Sequence, residues 1–245
     1  MPSITMTIAS DPFMLTTPIE SVPVQAVDAT ALLRLLTLSS TALPVGAYCY
    51  SQGVESAIEV EIIRHEASAL SYFEDVLALV LGRFELPMLA ELMRVCEEGD
   101  ATQFKRLAAA YRASRESREF LAESQQLAFS LNAWIRDVLR WDVIVDADLG
   151  FIPVYAELGV RLNLPARDCL TAYAFSVLEN QVLAVVKTLP LGQMSGQRIL
   201  WALHALIPAQ VQRVLHDPRP LSSSLPQYAM LSMQHESQYS RLFRS

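Results

Sequence analysis

Apolar residues recur along this chain at steps of three and four, with capping residues between the runs, and the pattern reads as a succession of helices. Asp28 precedes Ala29 to Leu38, where Leu32, Leu35 and Leu36 form a stripe with Leu33 beside it. Asp28 is the expected N-cap and Ser39-Ser40-Thr41 the stop. From Glu66 to Phe84, the positions Leu70, Phe73, Leu77, Val80 and Leu81 give an apolar face several turns long, and Pro87 is expected to break the ladder or to open a new helix. That next segment, Met88 to Glu98, ends at Gly99 as a C′ glycine. Asp100 then caps a helix over 101–113 with the stripe Phe104, Leu107, Ala108 and Tyr111. A further run continues from Phe120 through Leu127 and Leu131 to Val138.

The second half is read the same way. Val143-Ile144-Val145 is strand-like, but Asp142, Asp146 and Asp148 surround it and Pro153 follows, so it reads as a connection. A short helix over Pro153 to Gly159 leads to Pro165, which suits a first helical position. Ala166 to Lys187 is apolar nearly all round and is expected to be the central buried helix. Glu179-Asn180-Gln181 interrupts its apolar run short of the ~20 residues of a membrane span, so no membrane is expected and these polar groups need partners inside the fold. Pro190 stops this helix, Ser195 is expected to cap the next, and a bend is expected at Pro208.

Prolines without helical period mark residues 1–27 as a flexible N-terminal extension, and Pro218, Pro220, Ser222 to Ser224 and Pro226 mark a linker. The reading is all-α: a single globular domain of about eight to ten helices over 28–216, followed by a linker and C-terminal tail over 217–245. Between the first two helical patterns lies a dense turn, Leu43-Pro-Val-Gly-Ala-Tyr-Cys-Tyr-Ser-Gln-Gly-Val-Glu55. Tyr48 and Tyr50 there need cover for their rings, so it reads as an ordered loop. The helix it leads into is expected to hold Gly53 in its first turn, with Val54, Ala57 and Ile58 on one face and Glu55 and Glu59 on another.

Composition narrows the function classes. A 52% hydrophobic content with 8 glycines in 245 residues fits long regular elements, and a net charge of −7 argues against a sequence-independent grip on nucleic acid. The 3 cysteines, Cys49, Cys96 and Cys169, form no C-x-x-C pair, which points to a reducing, cytoplasmic setting without a disulfide framework or zinc knuckle. No basic residue precedes Arg34, so neither a secretory signal nor a transit peptide is indicated.

The common phosphate, dinucleotide, zinc and serine-nucleophile signatures are absent. His65, His204, His216 and His235 form no i, i+3 or i, i+4 pair, and His204 beside Leu203 and Leu206 reads as a packed or partly buried residue rather than a ligand. Cys49 reads as a small buried hydrophobe. Arg112 with Glu116 and Arg115 with Glu119 have i, i+4 spacing and read as a solvated, ion-paired helix face. Near the end, Leu242-Phe243 between Arg241 and Arg244 reads either as a frayed tail or as a segment that orders on a partner, burying Tyr239, Leu242 and Phe243 while the arginines meet carboxylates.

Three stretches carry a family resemblance: the Leu43 to Glu55 loop, the turn Pro190-Leu-Gly-Gln-Met-Ser-Gly-Gln197, and the ending Glu236-Ser-Gln-Tyr-Ser-Arg-Leu-Phe-Arg-Ser245. Together, in this order, they resemble the urease accessory protein UreF family over about residues 28 to 245. The resemblance implies an all-α homodimer that is not a catalyst, and no cofactor-binding or metal-ligating residue is assigned. It implies docking on the accessory protein UreD (UreH in some systems), recruitment and regulation of the GTPase UreG, and nickel delivery to apo-urease through that complex. Carried over by motif, the implied partner-binding residues are Tyr48, Tyr50, Gln52 and Glu55 of the loop, Gln193 and Gln197 of the turn, and Tyr239, Arg241, Leu242, Phe243 and Arg244 of the ending. The chain departs from the family at Gln52, where many members have His, and at Leu127-Ala-Phe129, where Gly followed by Arg is common. Set beside this reading are an all-helical enzyme with a cryptic carboxylate and tyrosine site, using Glu55 or Glu179 with Tyr48, and a nickel-binding chaperone, for which the spacing supplies no convergent ligands.

Overall fold

A computed structural model describes residues 28–217, 226–239 and 241–244; the expected N-terminal extension and the proline-rich part of the linker lie outside them. The α-helices are α1 (Ala29–Ser39), α2 (Val54–Glu59), α3 (Glu66–Asp75), α4 (Leu86–Glu97), α5 (Ala101–Ala113), α6 (Arg118–Trp134), α7 (Phe151–Arg161), α8 (Ala166–Thr188), α9 (Gln193–His216) and α10 (Pro226–His235). No strand occurs among the described residues, so the fold is an all-α single domain. Val143 to Val145 is a connection; Asn132 Nδ2 donates to the Val145 carbonyl at 3.0 Å and holds it against α6.

The caps form where the side chains call for them. Asp28 Oδ1 accepts from the Thr30 N–H at 2.9 Å, and Asp100 Oδ1 from the Gln103 N–H at 2.9 Å. Gly99 adopts φ +75°, the Asp100 N–H reaches the Val95 carbonyl at 3.2 Å and the Gly99 N–H reaches Cys96 at 3.1 Å, which closes α4 in a Schellman motif. His65, not assigned in the sequence, caps α3 by accepting from the Ser68 N–H at 3.2 Å.

Three expectations change. The helix begun at Glu66 does not stop near Phe84: a π-helical stretch over Val76–Glu85 joins α3 to α4, and Leu86 N–H bonds to Leu81 five residues back. The wider turn accommodates Pro87, which has no N–H to give and whose ring presses on the carbonyl four residues earlier. Ser195 lies inside the first turn of α9, whose N-cap is Gly192; Ser195 Oγ instead accepts from Arg198 Nη2 at 2.9 Å. α9 runs on through Pro208 as one helix. Arg115 is half-buried and pairs with Glu85 at 3.0 Å, not with Glu119. α5 ends at Ala113 and Ser117 caps α6 by accepting from Phe120 N–H, so the two residues at i, i+4 spacing are not on one helix.

α8 is the centre of the fold. It packs on α1, α2, α4 and α9, and its Cys169, Leu170, Ala174, Leu178, Gln181 and Val185 are fully buried. By length and composition α8 could cross a membrane, but half of its most apolar window is buried by these neighbours. α1, by contrast, buries only Leu38 and leaves Leu32, Leu33 and Leu36 at 44%, 64% and 57% exposure.

Candidate functional site

The loop before α2 is built by backbone that few side chains tolerate. Gly46 at φ +78° opens a 3-10 turn over Ala47–Cys49, and Gln52 and Gly53 follow at φ +52° and +81°. Gly53 is the N-cap of α2 rather than a first-turn residue. A Cβ there would stand 3.3 Å from Leu231 Cβ and 3.4 Å from the Ser232 nitrogen, so glycine lets α10 close on the loop. This places the helix beyond the expected linker directly on the loop, and Ser232 Oγ meets Ser117 Oγ, the α6 N-cap, at 2.6 Å.

Gln52 ties the loop to the rest of the molecule. Its Nε2 donates to Glu123 Oε1 at 2.7 Å, and its Oε1 accepts from Gln181 Nε2 at 2.6 Å and from the Tyr228 hydroxyl at 3.4 Å. Gln181 Nε2 thus finds partners at its depth, whereas Gln181 Oε1 and Asn180 Oδ1 beside it are buried without a hydrogen bond among the described residues. On one side of Gln52 lies a small polar hollow of about 50 Å³ lined by Glu85, Arg115, Glu123 and Tyr173 among others. Tyr50 is buried; burial pushes its hydroxyl above the ordinary tyrosine range while the Arg244 guanidinium beside it pulls the other way. Tyr48 stays 49% exposed.

The C-terminal segment closes over this loop. Leu242 N–H donates to Glu55 Oε1 at 2.6 Å, Phe243 N–H to Glu55 Oε2 at 3.1 Å, and Arg244 N–H to the Cys49 carbonyl at 2.9 Å. Phe243 is buried, and Lys187 Nζ lies 5.7 Å from its ring centre and 6.0 Å from that of Tyr48. Arg241 Nη1 pairs with Glu119 at 2.9 Å while its Nη2 reaches the Glu236 carbonyl. The arginine does meet a carboxylate, but on its own chain, and of the three apolar residues expected to bury only Phe243 does; Leu242 and Tyr239 are exposed. Tyr48, Tyr50, Gln52, Glu55, Arg241, Leu242, Phe243 and Arg244 therefore converge. Gln193 and Gln197 are exposed at the start of α9, and among the described residues no hydrogen bond joins them to the loop or the tail.

Sequence reasoning missed His235. Its side chain is fully buried, with Nδ1 2.8 Å from Glu119 Oε2 and Nε2 3.2 Å from Glu55 Oε2. The available signal was its place on the stripe Tyr228, Leu231, His235, whose members are all buried on one face of α10. His204, expected to be packed, is exposed on α9, its ring 5.5 Å from Phe175 and 5.6 Å from Trp201. Cys49 is half-buried. Among the described residues no three His, Cys, Asp or Glu side chains are grouped to hold a metal ion.

Helices closed by a tail onto a conformationally demanding loop, with an exposed tyrosine at its rim, define an all-helical protein whose distinctive surface is the joined loop and tail. A model of the UreF family matches residues 63–204. The urease accessory protein UreF of Nitrosospira multiformis is 44% identical over 223 residues, covering 88% of this chain and 98% of that protein, and that of Dechloromonas aromatica is 41% identical over 223 residues, 87% and 97%. A bifunctional urease accessory protein UreEF of Bordetella bronchiseptica is 40% identical over 230 residues, covering 90% of this chain and 53% of that protein. The chain belongs to the UreF family of urease accessory proteins.

Proposed function

We propose that this protein is a cytoplasmic, non-catalytic scaffold of urease maturation, which docks on UreD (UreH in some systems), recruits and regulates the GTPase UreG, and so serves nickel insertion into apo-urease as a homodimer. The observation that carries the reading is the composite surface of loop and tail. Tyr48, Leu242 and Tyr239 are exposed around a clasp of buried polar contacts, so a rigid support presents apolar and aromatic groups to a partner. The UreEF relative supports the same route, since its name joins two accessory functions in one chain.

The enzyme reading loses its first candidate. Glu55 is 6% exposed and both its oxygens accept tail amides, which leaves it engaged rather than poised for proton transfer. Burial raises the Glu179 carboxyl, but its neighbour Asn180 and not Glu179 faces the hollow beneath Tyr48.

Size-exclusion chromatography with light scattering, on the chain co-expressed with UreD and then mixed with UreG and GTP, tests the proposal. A stoichiometric complex is expected, with Tyr48→Ala weakening it and removal of residues 236–245 abolishing it. A chain that elutes alone with both proteins present overturns it.

A further inference from the structure

The clasp contains a proton that its geometry requires. A neutral imidazole carries one N–H, yet both ring nitrogens of His235 face carboxylate oxygens, Glu119 Oε2 at 2.8 Å and Glu55 Oε2 at 3.2 Å. Those carboxylates act as acceptors elsewhere: Glu55 receives the Leu242 and Phe243 amides and Glu119 receives Arg241. With both carboxylates ionised, both ring contacts are hydrogen bonds only when the ring carries two protons.

We infer that His235 is a proton-dependent latch for the C-terminal segment, holding it on the chain's own loop while the ring is doubly protonated and releasing it when one proton leaves. His235 is a positioning residue in this device, since its ring reaches Leu242 and Phe243 only through the Glu55 carboxylate. The charged and titratable groups around the ring are Glu55 from α2, Glu119 from α6, and Arg241 from the tail, with Glu236 following His235 and accepting from the Arg118 N–H at 3.1 Å. With the ring charged, the two carboxylates are balanced by His235 and Arg241. With the ring neutral, one carboxylate oxygen faces a ring lone pair in a site where the imidazole is fully buried, and the cluster carries an uncompensated negative charge.

The release favours the side of Glu55. Glu119 keeps Arg241 as a counter-charge, whereas Glu55 has only neutral amides. A neutral ring that keeps its N–H toward Glu119 leaves Glu55 repelled, and Glu55 is the residue that holds Leu242 and Phe243. Losing a charge-assisted contact at this point corresponds to about ten-fold in the docked population. The sign follows: docking is complete while the ring carries both protons and weakens as rising pH removes one of them. The inference does not depend on which partner takes the released tail.

Amide hydrogen exchange on the full chain, corrected for the intrinsic pH dependence of exchange, tests the latch. Protection of the Leu242 and Phe243 amides should fall about ten-fold or more between pH ~6 and pH ~8.5, with α8 amides unchanged as a fold control. His235→Gln should lower tail protection and remove its pH dependence. Because that change is buried, Arg241→Gln is the second variant: it should lower protection while keeping a pH dependence. A nitrogen-15 NMR signature of two protonated ring nitrogens is expected while the tail is docked. Tail protection that does not change with pH in the unmodified chain, or a ring with a single protonated nitrogen when the tail is docked, overturns the inference.

Discussion

Glu85 shows how much one residue holds. Oε1 receives Arg115 at 3.0 Å and Oε2 receives the Tyr173 hydroxyl at 2.9 Å, joining the end of the π-helical stretch to the α5–α6 connection and to α8. The Arg115 guanidinium lies 4.5 Å from the Tyr111 ring centre and 5.3 Å from that of Phe84, so its charge is surrounded by aromatic faces. Burial, with Glu85 next to it, pushes the Tyr173 hydroxyl well above the ordinary range and keeps it a donor. Glu85→Gln leaves Arg115 without its counter-charge and should cost about 3–5 kcal/mol in urea unfolding. Arg115→Met combined with Glu85→Leu removes both charges and should cost less than the single change. A Glu85→Gln variant within ~0.5 kcal/mol of the parent would mean that the pair does not hold these elements together.

At the scale of elements, the π-helical stretch and α9 pack most tightly at Gly82. Gly82 has no side chain because Gln210 occupies the space: a Cβ would lie 1.8 Å from Gln210 Nε2. Gln210 is buried, so Gly82→Ala cannot simply push it into water and should cost about 1–3 kcal/mol as overpacking. Gln210→Ala in the same chain should restore part of that loss; additive costs in the double-mutant cycle would show that the two do not touch. This contact was not legible in the sequence, since Gly82 and Gln210 are far apart in the chain. Legible features were those with local causes: Asp28 and Asp100 as caps, Gly99 as a C′ residue, and α8 as the central helix. Local reasoning failed where a long-range partner outweighed a near one. Arg115 stood four residues from Glu119 but found Glu85, and Glu119 found His235 and Arg241. The candidate site was half-legible: its loop and tail each had a distinctive composition, but neither states that they meet through Glu55.

For the whole molecule, the open question of surface is α1. Of its expected apolar stripe, Leu32 and Leu36 face outward together with Leu33 beside them, and Leu33 and Leu36 border a shallow hollow of about 340 Å³ with Pro44 and Trp134. Exposed leucines scattered singly need no explanation, but three on one short helix beside an open hollow form a face that water covers poorly. A second copy of the chain is the occupant the proposed homodimer supplies, and it would have to bury upwards of about 1,000 Å² in total to be stable. Leu33→Asp together with Leu36→Asp puts two like charges into that face and should convert a dimer to a monomer in light scattering across a dilution series. Because both side chains are already exposed, the fold should lose no more than about 1 kcal/mol, which thermal unfolding checks. If the double variant keeps the parent's mass at every concentration while remaining folded, the two copies meet elsewhere and α1 faces another protein of the assembly. A parent chain that is monomeric throughout removes the dimer itself.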